Sequence, residues 1–171
     1  MKKTQRKRRN ERKTDYLKRI KLLKSEKPRV VFRKTNKYFL VQYVISDEAK
    51  DKIIFGITSK ELLRQGWPQD FKGSLKSISA AYLTGYLFGK QIQKKKLEQP
   101  IMDFGMIRVL HKTKIFGFLK GMIDSGIKID CKKEAFPEKE RIEGKNMKQD
   151  FSQQFNKIKT GIDKLWKLQI I

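Results

Sequence analysis

Arg29-Val30-Val31-Phe32-Arg33-Lys34-Thr35-Asn36-Lys37-Tyr38-Phe39-Leu40-Val41-Gln42-Tyr43-Val44-Ile45 carries the strongest structural signal in the chain. β-Branched and aromatic residues dominate both flanks, and the polar run 34–37 between them supplies a turn, so the stretch reads as a β-hairpin. After an acidic turn at 46–51, residues 52–58 add a third strand and complete an antiparallel meander. Gly66-Trp67-Pro68 then marks a loop.

Further along, the segment 74–95 places Ile78, Ala81, Tyr82, Tyr86 and Phe88 or Gly89 at helical intervals and runs into Lys94-Lys95-Lys96. Gly85 and Gly89 stand four apart on one face of this helix. Each costs about 1 kcal/mol of helix propensity relative to Ala, which close approach to a neighbouring element would offset. Residues 101–104 read as a short buried strand. Residues 113–125 read as a second helix with Ile115, Phe116, Leu119, Met122 and Ile123 on its apolar side, stopped by Gly126. Ile127 and Ile129 around Lys128 suggest a brief final strand. The order is an antiparallel three-stranded meander, then helix, strand, helix, strand. This is an α/β fold with a mixed sheet covered by helices.

The two ends have a different character. Residues 1–27 are dominated by Lys and Arg and cannot build a core; the expectation is a tail that is disordered when free and orders as a basic arm on a polyanion. Tyr16, Leu17, Ile20 and Leu23 predict a short helix leading into the domain. Toward the other end, Phe151, Phe155, Ile158, Ile162, Leu165 and Trp166 follow a three-four spacing that predicts an amphipathic helix from about residue 146. Its apolar face requires a surface: its own domain, a neighbouring protein or an RNA groove. Three regions result: a basic arm with a short helix at 1–27, an α/β domain at 28–136 and a mostly helical C-terminal extension at 137–171.

Charge narrows the function. With 42 Lys and Arg against 18 Asp and Glu, the 171-residue chain carries a formal net charge of +24. Such a polycation repels itself, and neutralising nucleic-acid phosphates relieves the repulsion while releasing condensed counterions. Apolar runs such as 38–41 are too short to span a bilayer, and the basic start is followed by Thr14-Asp15-Tyr16 instead of an apolar signal core. A cytoplasmic protein without membrane partners is expected.

Catalytic readings fail on composition. Cys131 and His111 are the only residues of their types, which removes disulfides, zinc knuckles and thiol-histidine pairs. His111, within His-Lys-Thr-Lys, is expected to be exposed or to face RNA. A meander followed by helix and strand is also how ribonuclease-H-like nucleases begin. Their two-metal centre needs converging carboxylates, whereas residues 29–33 hold no acid, Arg33 repels cations, and Asp103 stands alone. Asp103-Phe104-Gly105 spells the kinase metal-binding tripeptide without its companion motifs, and no phosphate-cradling glycine loop is present. No metal, cofactor or small-molecule substrate is expected.

A binding surface remains. Arg6, Lys7, Arg8, Arg9 and Arg12 can neutralise phosphates without reading bases, and Lys18, Arg19, Lys21 and Lys24 extend that strip. The hairpin turn Arg33, Lys34, Thr35, Asn36, Lys37 and Tyr38 joins phosphate donors to an amide for base edges and a ring for stacking. Trp67 either caps the core or stacks on a base.

The ordered strings KPRVVFRKTNKY, AAYLTGYL and FPEKERI, with GW, DFGM and GFLKGMIDSGIKI between them, resemble the archaeal and eukaryotic branch of a universal ribosomal protein family. It is the large-subunit protein that binds 5S rRNA, numbered eighteen in bacteria and archaea and five in eukaryotes. The resemblance spans roughly residues 14–147, and the length is of the archaeal type. It implies a translational-machinery-type α/β fold and a seat in the central protuberance. The implied partners are 5S rRNA, large-subunit rRNA and neighbouring ribosomal proteins, including the other 5S-rRNA-binding protein. It also implies that Arg33, Lys34, Asn36, Lys37 and Tyr38 form an RNA-facing hairpin, and that the basic arm and the loop around Trp67 and Lys72 face RNA. Ser77-Ile78-Ser79 departs from the family's Asn-x-Pro-like turn, and no family match is seen after Met147. The rival readings are a free-standing RNA chaperone or basic DNA-compacting protein, which shares the charge but not the ordered strings, and an RNA-processing enzyme, whose carboxylate or histidine cluster is lacking. If the hairpin turn faces RNA, replacing Arg33, Lys34 and Lys37 by Ala together should weaken 5S rRNA binding and spare stability.

Overall fold

The computed structural model describes residues 7–11, 13–48, 50–69, 75–147 and 150–167. Two helices, α1 (Lys7–Asn10) and α2 (Tyr16–Lys24), precede the strands β1 (Arg29–Lys34), β2 (Phe39–Asp47) and β3 (Lys50–Thr58). There follow α3 (Glu61–Arg64), α4 (Ile78–Lys94), β4 (Ile101–Asp103), α5 (Lys114–Asp124), α6 (Lys139–Glu143) and α7 (Ser152–Lys167). The sheet order is β3-β2-β1-β4. β1–β2 and β2–β3 are antiparallel and β1–β4 is parallel, so the sheet is mixed as the sequence predicts.

The hairpin closes through Thr35. Its N–H donates to the Tyr38 carbonyl at 2.9 Å, its hydroxyl donates to the same oxygen at 2.7 Å, and the hydroxyl accepts the Tyr38 N–H at 3.0 Å. That register turns Val30 and Phe32 of β1, and Phe39, Val41 and Tyr43 of β2, onto one buried face.

Helices α4 and α5 cover that face. Ser77 adopts extended backbone and its hydroxyl accepts the Ala80 N–H at 3.1 Å. A serine N-cap therefore begins α4 at Ile78, later than residue 74. The glycine expectation holds. A Cβ on Gly85 would collide with the Phe118 carbonyl, one on Gly89 with the Ser125 hydroxyl, and one on Gly121 of α5 with the Tyr82 carbonyl.

The amphipathic C-terminal helix docks on its own domain. Phe151, just ahead of α7, and Phe155, Ile158 and Ile162 within it are buried in the common core. The polar side of the joint is also satisfied: Tyr86 donates to Asp163 at 2.6 Å, and Lys159 donates to the Tyr82 hydroxyl at 3.0 Å. The helix begins at Ser152 and not near residue 146 because α6 and a left-handed turn at Gly144, with φ 82°, redirect the chain first.

One predicted element does not form. Among the described residues no strand exists around Ile127 and Ile129. The Ile127 N–H closes the end of α5 on the Met122 carbonyl at 3.1 Å, and the Lys128 N–H is taken by the Gln99 side chain at 3.1 Å. The apolar alternation there comes from Ile127 entering the core after the left-handed Gly126. Among the described residues, no helix is long and apolar enough to cross a membrane.

Candidate nucleic-acid interface

β1, β3 and β4 run in the same direction; β1 and β3 end beside the hairpin tip, and β4 ends opposite Val31. α4 and α5 begin at that same end. Phe39 N–H donates to the Ser59 hydroxyl at 3.1 Å, and that hydroxyl donates to the Leu75 carbonyl at 2.8 Å, just ahead of α4. A Cβ on Gly117, in the first turns of α5, would stand 3.1 Å from the Ile78 side chain that opens α4. Neither helix has an acid in its first turn, so two positive dipole ends lie beside one another.

Lysines cluster on this end. Lys34 and Lys37 of the hairpin are exposed, as is Asn36. Partial burial, followed by the positive charges of Lys34 and Lys76, lowers the pKa of the Lys114 ammonium. These three cations therefore share one electrostatic neighbourhood. The Lys60 ammonium sits 4.6 Å from the centre of the half-buried Tyr38 ring and occupies one of its faces. Sequence reasoning missed Lys60, Lys76 and Lys114 because they are scattered along the chain. Each follows a strand end or stands at a helix start, and parallel strand ends bring them together.

The basic arm forms a second surface. Arg8 donates to the Thr14 hydroxyl at 2.9 Å, and Asp15 caps α2 by accepting from the N–H groups of Leu17 and Lys18. Arg19 reaches the sheet, pairing with Asp51 at 3.0 Å, while Lys18, Lys21 and Lys24 stay exposed. Lys7 and Arg9 stand on α1. Arg6, Arg12 and Lys72 lie outside the described residues.

Two expectations require correction. Trp67 is 2% exposed and packs against the Phe151 ring at 4.6 Å, so it belongs to the core and its ring is not open to a base. Arg33 is not free to roam at the hairpin tip. Its Nη1 donates to the Phe32 and Asp103 carbonyls at 2.9 and 2.8 Å, and its Nη2 pairs with the Asp103 carboxylate at 3.2 Å. Removing it together with Lys34 and Lys37 would mix a loss of internal bonds with a loss of surface charge. Stability would not be spared.

Asp103 is a structural acid. Besides Arg33 it accepts from Arg29 at 3.3 Å and from the Gly105 N–H at 2.8 Å. His111 is exposed and lies edge-on to Phe116 at 5.4 Å. Among the described residues no group of His, Cys, Asp and Glu gathers to hold a metal ion.

The family model described as "Ribosomal large subunit proteins 60S L5, and 50S L18" matches residues 2–100. The large ribosomal subunit protein uL18 of Korarchaeum cryptofilum (strain OPF8) is 41% identical over 140 residues, covering 82% of this chain and 70% of the relative. Its namesake in Methanosphaera stadtmanae is 41% identical over 147 residues, covering 86% and 74%.

Proposed function

This chain belongs to the family of large-subunit ribosomal proteins, structural constituents of the ribosome and not enzymes, and from that premise we propose that it binds 5S rRNA and helps anchor it to the large-subunit rRNA. The seat is the central protuberance, beside the other 5S-rRNA-binding protein. The observation that carries this reading is the lysine-lined end where the hairpin tip meets the starts of α4 and α5. Positive helix ends and flexible ammonium groups suit phosphate oxygens and carry no base preference, which fits a protein that recognises a folded RNA by shape. The arm at 1–27 adds a second, sequence-independent strip of charge.

The test is binding of the purified chain to 5S rRNA with tRNA as competitor across a salt series. Wild type should keep its preference for 5S rRNA at the highest salt. Replacing Lys34 and Lys37 by Ala should weaken binding and reduce the salt slope by about 2, one for each lost phosphate contact. Arg33 is left in place, so the melting temperature should not fall. Equal affinity for both RNAs at every salt concentration would instead describe a basic RNA chaperone.

A further inference from the structure

Asp51 is an acid that faces the arm of a strongly basic chain, and its two carboxylate oxygens have separate partners. Oδ1 accepts from Arg29 at 2.7 Å and from the Ser46 hydroxyl at 2.7 Å. That oxygen answers the buried guanidinium of Arg29, which also reaches Asp103 at 3.3 Å. Oδ2 accepts from Arg19 of α2 at 3.0 Å. Neutralising Arg29 does not require this second bond, and an acid beside the arm weakens the field that draws phosphates.

Apolar burial does not fix α2 in place. None of its 9 residues is buried, and none joins the common core. Leu17 and Ile20 are 67% and 52% exposed. Two open clefts, of about 410 and 540 Å³, are lined partly by this helix and partly by the domain. A helix this short is marginal in water on its own. Among its cations Arg19 is the half-buried one, whereas Lys18, Lys21 and Lys24 are exposed. The helix is therefore tied to the sheet by a charge on one side and presents charges on the other.

We propose that Asp51 is a positioning residue for RNA binding: through Arg19 it straps α2 to the sheet, so that Lys18, Lys21 and Lys24 meet phosphates from a fixed direction. The proposal rests on the RNA-binding reading and gives an acid a part in it. A loose arm has to be ordered at the moment of binding. Apparent affinity then falls in proportion to the fraction of chains in which α2 is docked.

The first measurement needs no RNA. The full chain is digested briefly with trypsin, and cleavage is read at Lys21 and Lys24 and, as a control, at Lys37 in the hairpin turn. Partly exposed ion pairs shift an equilibrium by up to about fivefold, and cleavage of a locally opened segment tracks its open population. Asp51→Asn retains an oxygen for Arg29 and turns an amide toward Arg19. This variant and Arg19→Met should each speed cleavage at Lys21 and Lys24 by about three- to fivefold and leave Lys37 unchanged, while Arg19→Lys keeps the wild-type rate. The second measurement is titration with 5S rRNA. If net charge alone counted, removing an acid would strengthen binding to a polyanion. Asp51→Asn should instead weaken it about threefold, and Arg19→Lys should bind as wild type does. Unchanged cleavage at Lys21 and Lys24 in both variants, or an affinity that rises in Asp51→Asn, would overturn the proposal. Selectivity of wild type for 5S rRNA over tRNA is read separately. Its absence would refute the 5S reading, while the digestion and the sign of the Asp51→Asn effect, read on either RNA, still decide the strap.

Discussion

Arg29 is 1% exposed, and its charge is tolerated there only because it is answered on several sides. It donates to Asp51 at 2.7 Å, to the Ser46 hydroxyl at 2.6 Å and to Asp103 at 3.3 Å. Removing one partner of a buried pair costs about 3–5 kcal/mol because the other charge stays desolvated. Asp103→Ala should therefore lower the unfolding free energy by about 3 kcal/mol in urea titration, since Arg29 loses one acceptor and Arg33 another; a loss under about 1 kcal/mol would mean that Asp51 alone satisfies Arg29. Asp51 makes a separate, pH-dependent contribution. Burial pushes its carboxyl up, but hydrogen bonds from Ser46 and Arg19 and the charges of Arg29 and Arg19 outweigh this and hold it below the ordinary carboxylate value. In acid the unfolded chain thus takes up its proton first. The stability Asp51 contributes is complete above the ordinary value and is lost as pH falls through the lower, folded one. Asp51→Asn should be less stable at neutral pH, and its urea midpoint should fall less than that of wild type between about pH 5 and pH 3.

Helices α4 and α5 meet backbone to backbone, and this contact sets the spacing of the layer over the sheet. On an isolated helix Gly85→Ala would gain about 1 kcal/mol of propensity. Here the added methyl runs into the Phe118 carbonyl, a backbone atom that cannot swing aside, and overpacking of this kind costs about 1–3 kcal/mol. Gly85→Ala should lower the urea midpoint, whereas Gly161→Ala, with open space around its Cβ on α7, should raise it; a stabilised Gly85→Ala would show that the helices can slide apart. The glycine spacing was legible in the sequence because a helix face with two missing side chains has few other uses. The strands and main helices were legible because turn residues and apolar periodicity agreed with the tertiary structure at each of them. Ile127 and Ile129 misled because a short alternation cannot distinguish a strand from a residue entering the core after a helix stop. The site was only half legible. Lys34 and Lys37 announce themselves in a turn, but Lys60, Lys76 and Lys114 converge only once the parallel strand ends are known. Nor does Arg33 reveal by its residue type that Asp103, on another strand, holds it.

For the whole molecule the governing quantity is a net charge of +24 on a chain of 171 residues. Like charges crowd together on folding, so the free protein is destabilised by its own field, and salt screens that field over a Debye length of about 10 Å at 0.1 M. The same salt weakens RNA binding, because counterions released from the phosphates must be returned to a more concentrated solution. Stability of the free chain and affinity for RNA should therefore respond to salt with opposite signs. Between about 50 and 200 mM salt the melting temperature of the free protein should rise, while affinity for 5S rRNA falls on the order of 10³ or more if six or more phosphates are neutralised. Both are measured on one preparation, by thermal unfolding and by RNA titration. A melting temperature indifferent to salt would mean that internal pairs such as Arg29 with Asp51 and Lys120 with Asp124 already balance the charge locally. The salt-dependent part of RNA binding would then come from counterion release, with no contribution from relief of repulsion within the protein.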